Sequence, residues 1–288
     1  MTPEALVANA GGLVSLPRTY HRVSEMLDDP RFTAAEIGRV INHDPALTAR
    51  VLKVVNSAPY RQPKKVENIA TAIAVLGTRS LHDVLLATSV ASVFSDINSQ
   101  LVDVQDFWHH SIYCGILARL IGKRLGIANE GRLFTAGLLH DLGKLVIYRQ
   151  QPLAASKILR EVNLSRRPAY QVEQEILGFD HAAVGAALLK SWDLPEVYTE
   201  VVAHHHTPNL CADYCTEANI VHVANALSKL VEPGYKRWPP ADSRLDLHPS
   251  VAEHVKLAAE EIAELQLEAD VQSIDIFSNL FSGAAVPR

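Results

Sequence analysis

The chain has 288 residues, 48% apolar and 20% charged, with 27 basic and 32 acidic side chains and a formal charge of −5. This describes a folded globular chain of one large domain or two, able to bury a core without disulfides, and it excludes a disordered or fibrous one. There is no long basic run, so no extended footprint for nucleic acid is expected.

Helical periodicity dominates from the start, and no hairpin signal breaks it. Leu16-Pro17 opens a helix over Thr19 to Leu27, which ends at Asp28-Asp29-Pro30. Thr33 caps the next, and Glu36 three residues on completes a capping box ahead of Ile37, Val40 and Ile41. Asp44-Pro45 begins a third, with Leu47, Val51, Leu52 and Val55 on its apolar face. A polar loop from Arg61 to Asn68 precedes Ile69 to Leu76; after Gly77 comes Leu81 to Phe94. Beyond a polar connection at Ser95 to Val104, a helix runs from Phe107 to near Gly126, and Glu130 to Tyr148 reads as one central helix.

Shorter helices follow at Leu153 to Glu161 and Tyr170 to Leu177. Asp180 caps His181 to Trp192, and Leu194-Pro195 reopens a helix reaching His204-His205-His206. Glu217 to Val231 is amphipathic, Glu232 to Pro249 is a proline-rich loop, and the last helix is Ser250 to about Leu267, with a short one near Ile274 to Phe281. Ser282 to Arg288 reads as loose. The expected fold class is all-α, a helical bundle.

Three cysteines, Cys114, Cys211 and Cys215, cannot all pair within one chain, which fits a reducing compartment. The N-terminus MTPEALVANAGGLVSLP lacks a basic region followed by an apolar signal core. No apolar run reaches the ~18 residues that span a bilayer. The expected location is cytoplasmic, with no membrane partner. The C-x3-C pair Cys211 and Cys215 reads as free loop thiols rather than a zinc site, and neither a phosphate-binding Gly-x4-Gly-Lys-[Ser/Thr] loop nor a Gly-x-Ser-x-Gly elbow is present.

The chemistry centres on Phe134 to Tyr148, FTAGLLHDLGKLVIY, an apolar run interrupted by His140, Asp141 and Lys144. At about 3.6 residues per turn, His140 and Lys144 share a face with Asp141 beside it. Other histidines stand where core residues are expected: His110 two residues after Trp108, His181 just after a cap, and His204 and His205 at the end of a helix carrying Val197, Val201 and Val202. Taken singly, each suits a hydrogen-bonded structural histidine. Together with His140 and Asp141 they make six candidate ligands on four helices, and bundles build metal sites from inward side chains on facing helices. Imidazoles with one carboxylate suit Fe, Mn, Ni or Zn rather than Ca or Mg.

Trp108-His109-His110-Ser111, His140-Asp141-Leu142-Gly143-Lys144, His181 and His204-His205 together resemble the HD superfamily of metal-dependent phosphohydrolases. The stretch Asp44-Pro45-Ala46-Leu47-Thr48-Ala49-Arg50-Val51-Leu52, continuing to Asn56-Ser57-Ala58-Pro59-Tyr60, is similar to the signature of the HDOD family. So are Ala72 to Arg79, and His181 to Gly185 running on through Trp192 to Pro195. The resemblance covers about residues 12 to 210. It implies an all-helical regulatory module of bacterial signalling, with an N-terminal helical part at 12–100 and an HD-like core at 101–210 continuing to about 231. Residues 232–288 would form a loop and a C-terminal helical extension.

By resemblance, His110 is the first ligand, His140 and Asp141 the central pair, and His181, His204 and His205 the further ligands of two-metal members. The last expected carboxylate falls at Asn225, a weak or vestigial ligand without charge. One divalent ion against Asp141 leaves one positive charge in excess and two ions leave three, since ligating imidazoles are neutral. At most one tightly held metal is therefore expected. The run His204-His205-His206-Thr207-Pro208 lacks the Gly-Tyr-Pro element of the cyclic-di-GMP phosphodiesterases, which argues against that substrate.

The expected function is a regulatory module acting through a signalling protein or a ligand. The alternative is a metal-dependent phosphohydrolase acting on a nucleotide or other phosphoester. Asp141 and Lys144 are then its catalytic candidates, with Lys144 holding phosphate as a point charge. Lys144 equally suits a surface lysine closing a helix C-terminus.

Overall fold

The computed structural model describes residues 1–57, 60, 63–94, 101–230 and 247–281, and every regular element among them is helical. The expected connection at 95–100, most of the 232–249 loop, the 282–288 tail, and Ala58, Pro59 and Arg61 lie outside the described residues. Two compact units each combine distant segments: Met1–Ser15 with Ile97–Ala263, and Leu16–Asp96 with Glu264–Arg288. The division expected above followed chain order instead, because nothing local in a helix says which remote segment will cover its apolar face. Helix α1 (Pro3–Ala10), not anticipated from the sequence, is capped by Thr2, whose Oγ1 accepts from the Ala5 N–H at 3.2 Å, with Pro3 at its first position.

In the unit of residues 16–96 and 264–288, local signals set the boundaries. Helices α2 (Arg18–Asp28), α3 (Ala34–Asn42) and α4 (Pro45–Val55) pack with α5 (Ile69–Val93). Both arms of the Thr33–Glu36 capping box form, and Asp44 Oδ1 accepts from the Leu47 N–H at 2.9 Å. Asn56 clamps the following turn, donating to the Leu52 and Val66 carbonyls and accepting from the Val66 N–H. The core residues Tyr20, Val23, Ile37, Ile41, Leu47, Val51 and Val55 are buried. Each such aliphatic side chain contributes roughly 1.5–3 kcal/mol.

Helix α5 is long and apolar enough by length and composition to cross a membrane. Gly77, however, with φ 79° and ψ 167°, interrupts it into Ile69–Leu76 and a longer second piece from Thr78. Each piece is shorter than the ~18 residues a span requires.

The unit of residues 1–15 and 97–263 is built around α6 (Val104–Arg124), buried on nearly every side from Phe107 to Gly122. Around it come α7 (Gly131–Leu139), α8 (Leu142–Gln150), α9 (Pro152–Ser165), α10 (Ala169–Leu177), α11 (His181–Ser191), α12 (Glu196–His204) and α13 (Cys215–Ser228). Helix α6 packs on α7 and α13, and α11 on α8, α12 and α1. The expected last helix from Ser250 divides into α14 (Val251–His254) and α15 (Ala259–Phe281). Val255 turns extended between them, and Glu261 Oε2 accepts from the Ala258 N–H at 2.9 Å to start α15. Helix α15 then runs unbroken to Phe281, with Leu265, Ala269, Gln272 and Ile276 buried at helical spacing; residues 259–263 belong to the present unit and the rest to the other.

Candidate metal centre

The central helix expected from Glu130 to Tyr148 is two helices, and His140 and Asp141 form the joint between them. Asp141 has φ −102° and ψ 4°, and its carbonyl accepts from the Lys144 N–H at 2.9 Å, a tight i to i+3 turn. His140 and Lys144 therefore do not share one helix face. Lys144 instead reaches back to Asp141, with Nζ donating to Oδ2 at 2.6 Å. The joint lies where α8 begins hard against α11: a Cβ on Gly143 would stand 1.9 Å from the His181 carbonyl oxygen. At the α6–α7 crossing a Cβ on Gly137 would stand 2.6 Å from the Gly115 Cα, so only glycine lets α6 carry His110 up to His140.

Two groups of ligand-type atoms result, and they share Asp141. The first is His110, His140 and Asp141; the second is Asp141, His181, His205 and His206. In the first, the Nε2 atoms of His110 and His140 are 3.2 Å apart and each lies 3.4 Å from Asp141 Oδ2. In the second, Asp141 Oδ1 is 3.0 Å from His181 Nε2 and 3.8 Å from His205 Nε2, while His206 Nε2 is 2.9 Å from His181 Nε2. A tetrahedral ion with bonds of about 2.1 Å spaces its ligands about 3.4 Å apart, and both sets bracket that value.

The outer nitrogens are held by acceptors, which fixes the tautomers. His140 Nδ1–H donates to the Gly137 carbonyl at 2.6 Å and His205 Nδ1–H to that of Val202 at 2.7 Å, so both Nε2 lone pairs face inward. His181 donates twice to Glu173 Oε2, from Nδ1 at 2.6 Å and from its backbone N–H at 2.8 Å. His206 stacks on Tyr170, with ring centroids 4.4 Å apart and planes at 17°. On α13, His222 Nδ1–H donates to the His205 carbonyl at 2.8 Å.

Buried polar atoms are normally paired. Here Asp141 Oδ1, His205 Nε2 and Asn225 Oδ1 are buried and make no hydrogen bond. Two of them, Asp141 Oδ1 and His205 Nε2, belong to one group and present lone pairs to it. That is the donor chemistry of a cation site, and the residues present fit a divalent ion.

The electrostatics separate the two sides of the pocket. Burial pushes His140 down, and burial together with the neighbouring imidazoles pushes His205 and His206 well down, so these three are neutral. Burial also opposes a charge on His181, but the Glu173 and Asp141 carboxylates outweigh it and Lys144, lifting His181 to about 9. Asp141 resists its own burial through the Lys144 ammonium and the charged His181 beside it and stays ionised well below the usual carboxylate range. Asp141 in turn raises Lys144 against its burial.

Of the residues singled out in the sequence, His110, His140, Asp141, His181 and His205 come together, with Lys144 bonded to Asp141. His204 does not. It ends α12 half-buried and outside both groups, and His206 stands in the second group instead. Helical phase explains the exchange: His205 and His206 extend the faces of the buried Val201 and Val202, whereas His204 extends that of the half-exposed Glu200. Sequence reasoning also missed Glu173 and Tyr170. The only available signal was their spacing on one face of a predicted helix, which does not name a partner. Cys211 and Cys215 are free thiols outside both groups, and the Cys211 Sγ lies 3.6 Å from Glu200 Oε2.

The family model for the HDOD domain matches residues 13–208. A crystal structure of a candidate phosphohydrolase from Shewanella amazonensis SB2B is 25% identical with a TM-score of 0.75, covering 96% of this chain and 98% of that one. An HDOD domain protein of unknown function from Geobacter sulfurreducens is also 25% identical, with a TM-score of 0.73 and 96% of each chain covered. An uncharacterized protein of Treponema pallidum (strain Nichols) is 27% identical over 232 residues, which is 78% of this chain and 44% of that protein. The chain thus spans less than half of that relative's length. With a family match over more than half of its residues and an all-helical fold around a joined His-Asp pair, the chain belongs to the HDOD family.

Proposed function

We propose that the chain is a signalling module that acts by binding a protein or ligand, with one divalent transition ion of the Fe, Mn, Ni or Zn class held in its His/Asp pocket. The observation that carries this reading is the enclosure of the pocket. His140, Asp141, His181 and His205 are each at most 1% exposed and come from the α7–α8 joint, α11 and the end of α12. An ion held there stabilises the folded arrangement by mass action, so its presence is coupled to how these helices pack. Asp141 is the only carboxylate in either ligand group, and Asn225 stands where the family resemblance expects another; both favour a sensing or structural ion over a two-metal catalyst. A signalling protein in the cytoplasm is the expected partner.

A second reading, a phosphohydrolase acting on a nucleotide or other phosphoester, is favoured by the retained ligand set and by the similarity to the Shewanella protein. A bound ion would supply Lewis-acid polarisation of a phosphoryl oxygen and a water of lowered pKa. The chain itself would contribute Asp141 as ligand and the part-buried Lys144, fixed by Asp141, as a positive charge beside the site for a phosphate.

The test is hydrolysis of bis-p-nitrophenyl phosphate and of cyclic and linear nucleotides by metal-loaded protein. The proposed module gives no turnover beyond that of the free metal. Turnover abolished by Asp141→Asn would establish the second reading instead.

A further inference from the structure

The two ligand groups share Asp141 but differ in what surrounds them. In the first, Asp141 Oδ2 faces His110 and His140 at 3.4 Å each, and the same oxygen already accepts the Lys144 ammonium at 2.6 Å. A divalent ion there would share its only carboxylate oxygen with a fixed positive charge, and like charges a few ångströms apart in a buried site repel strongly. In the second group, His205 Nε2 makes no hydrogen bond, and the group facing Asp141 Oδ1 is His181 Nε2 at 3.0 Å, which becomes a ligand itself on giving up its proton, as an ammonium held on Oδ2 does not. That group also has a fourth ligand, His206, and a second buried carboxylate behind it: Glu173, 1% exposed, accepts both N–H groups that His181 turns away from the pocket. Carboxylate–histidine–metal chains of this kind fix ring orientation and raise ligand basicity.

We propose that Lys144 fills the charge role of a cation on the His110–His140 side, so that the pocket takes a single divalent ion on the Asp141–His181–His205–His206 side. Glu173 is then the positioning residue that aims His181 Nε2 at that ion. Tyr170, one turn before Glu173 on α10, steadies the other ligand by stacking on His206. Helix α10 carries no ligand itself but supports two of the four. The assignment rests on the metal-pocket reading above and gives it a position and a stoichiometry.

Zinc alone is the probe. Full-length protein stripped with chelator is titrated with Zn(II) against a chromophoric competitor, bound zinc is counted by mass spectrometry, and folding is checked by circular dichroism. The wild type binds one zinc per chain. Glu173→Ala weakens binding about 10–100-fold, the range for loss of an outer partner of a ligand. Glu173→Gln recovers most of that loss, because its carbonyl oxygen can accept the same two N–H groups. His206→Ala, a change at a half-buried ring, weakens binding at least as much as Glu173→Ala, while His110→Ala leaves affinity nearly unchanged. Lys144→Met takes up a second zinc, which Lys144→Met with His110→Ala does not.

Two zinc ions in the wild type would overturn the placement, as would zinc lost in His110→Ala but kept in His206→Ala. Wild-type affinity in Glu173→Ala would overturn the role of Glu173. Protein that binds no zinc at all would overturn the metal pocket and the placement with it.

Discussion

The unit of residues 16–96 and 264–288 closes around aliphatic side chains, and two of its buried hydroxyls turn back onto the preceding turn of their own helix. Ser57 Oγ donates to the Val54 carbonyl at 2.6 Å, and Thr88 Oγ1 to that of Val84 at 2.9 Å. The unit of residues 1–15 and 97–263 buries His110, His140, Asp141, Glu173, His181 and His205, which meet partners 30 and 8 residues away as well as each other. Among the described residues, the first unit brings no group of metal-ligating side chains together. The second concentrates ionisable groups where helices cross and turns ligand-type atoms toward one another, which is how a scaffold differs from a site. His82 in the first unit is half-buried and bonded to Ser24 Oγ and Tyr20 OH from another helix, and it forms no ligand group with them.

The sharpest way to break the contrast is Gly143→Ala. Its added Cβ meets backbone at 1.9 Å, which a side-chain shift cannot relieve. It should cost about 3 kcal/mol or more, read as a lowered urea midpoint, and weaken zinc binding as well. An unchanged midpoint would mean that α8 and α11 do not need their close approach. Ile41→Ala, at a fully buried position of the other unit, should cost about 2–5 kcal/mol but leave zinc affinity per folded chain unaltered. A parallel loss of zinc affinity would contradict the separation of roles.

Acidity probes the polar side by itself. His181 is raised from 6.5 to about 9 in the folded metal-free protein, against burial, by Glu173 and Asp141. A raised value gives stability that is full below about 6.5 and lost as pH climbs through 9. The urea midpoint of chelated protein should therefore fall across that window. A flat profile would show that His181 is neutral between its two carboxylates. The smallest effect belongs to the local side: Thr33→Ala removes one arm of the capping box for about 1 kcal/mol, with no change at the metal centre.

The same contrast decides what could be read in advance. The Thr33 and Asp44 caps, the break at Gly77 and the helix from His181 depend on residues a few positions apart, so they were legible. The joint at His140–Asp141 was not, because FTAGLLHDLGKLVIY is continuous in helical periodicity and the break lies where α11 approaches Gly143. His206 rather than His204 enters the pocket because the phase of α12 is set by burying Val201 and Val202, and a run of three histidines does not state its phase. Glu173 was invisible for the same reason at longer range, since a glutamate on a short helix looks solvated until His181 is packed against it.

Whether the pocket holds an ion is decided by the metal content of untagged protein, purified without chelator and measured by mass spectrometry beside Asp141→Ala. Close to one Fe, Mn, Ni or Zn per wild-type chain is expected, and none in the folded variant. A wild type that stays metal-free after reconstitution, or a folded Asp141→Ala that keeps its full complement, would contradict that expectation.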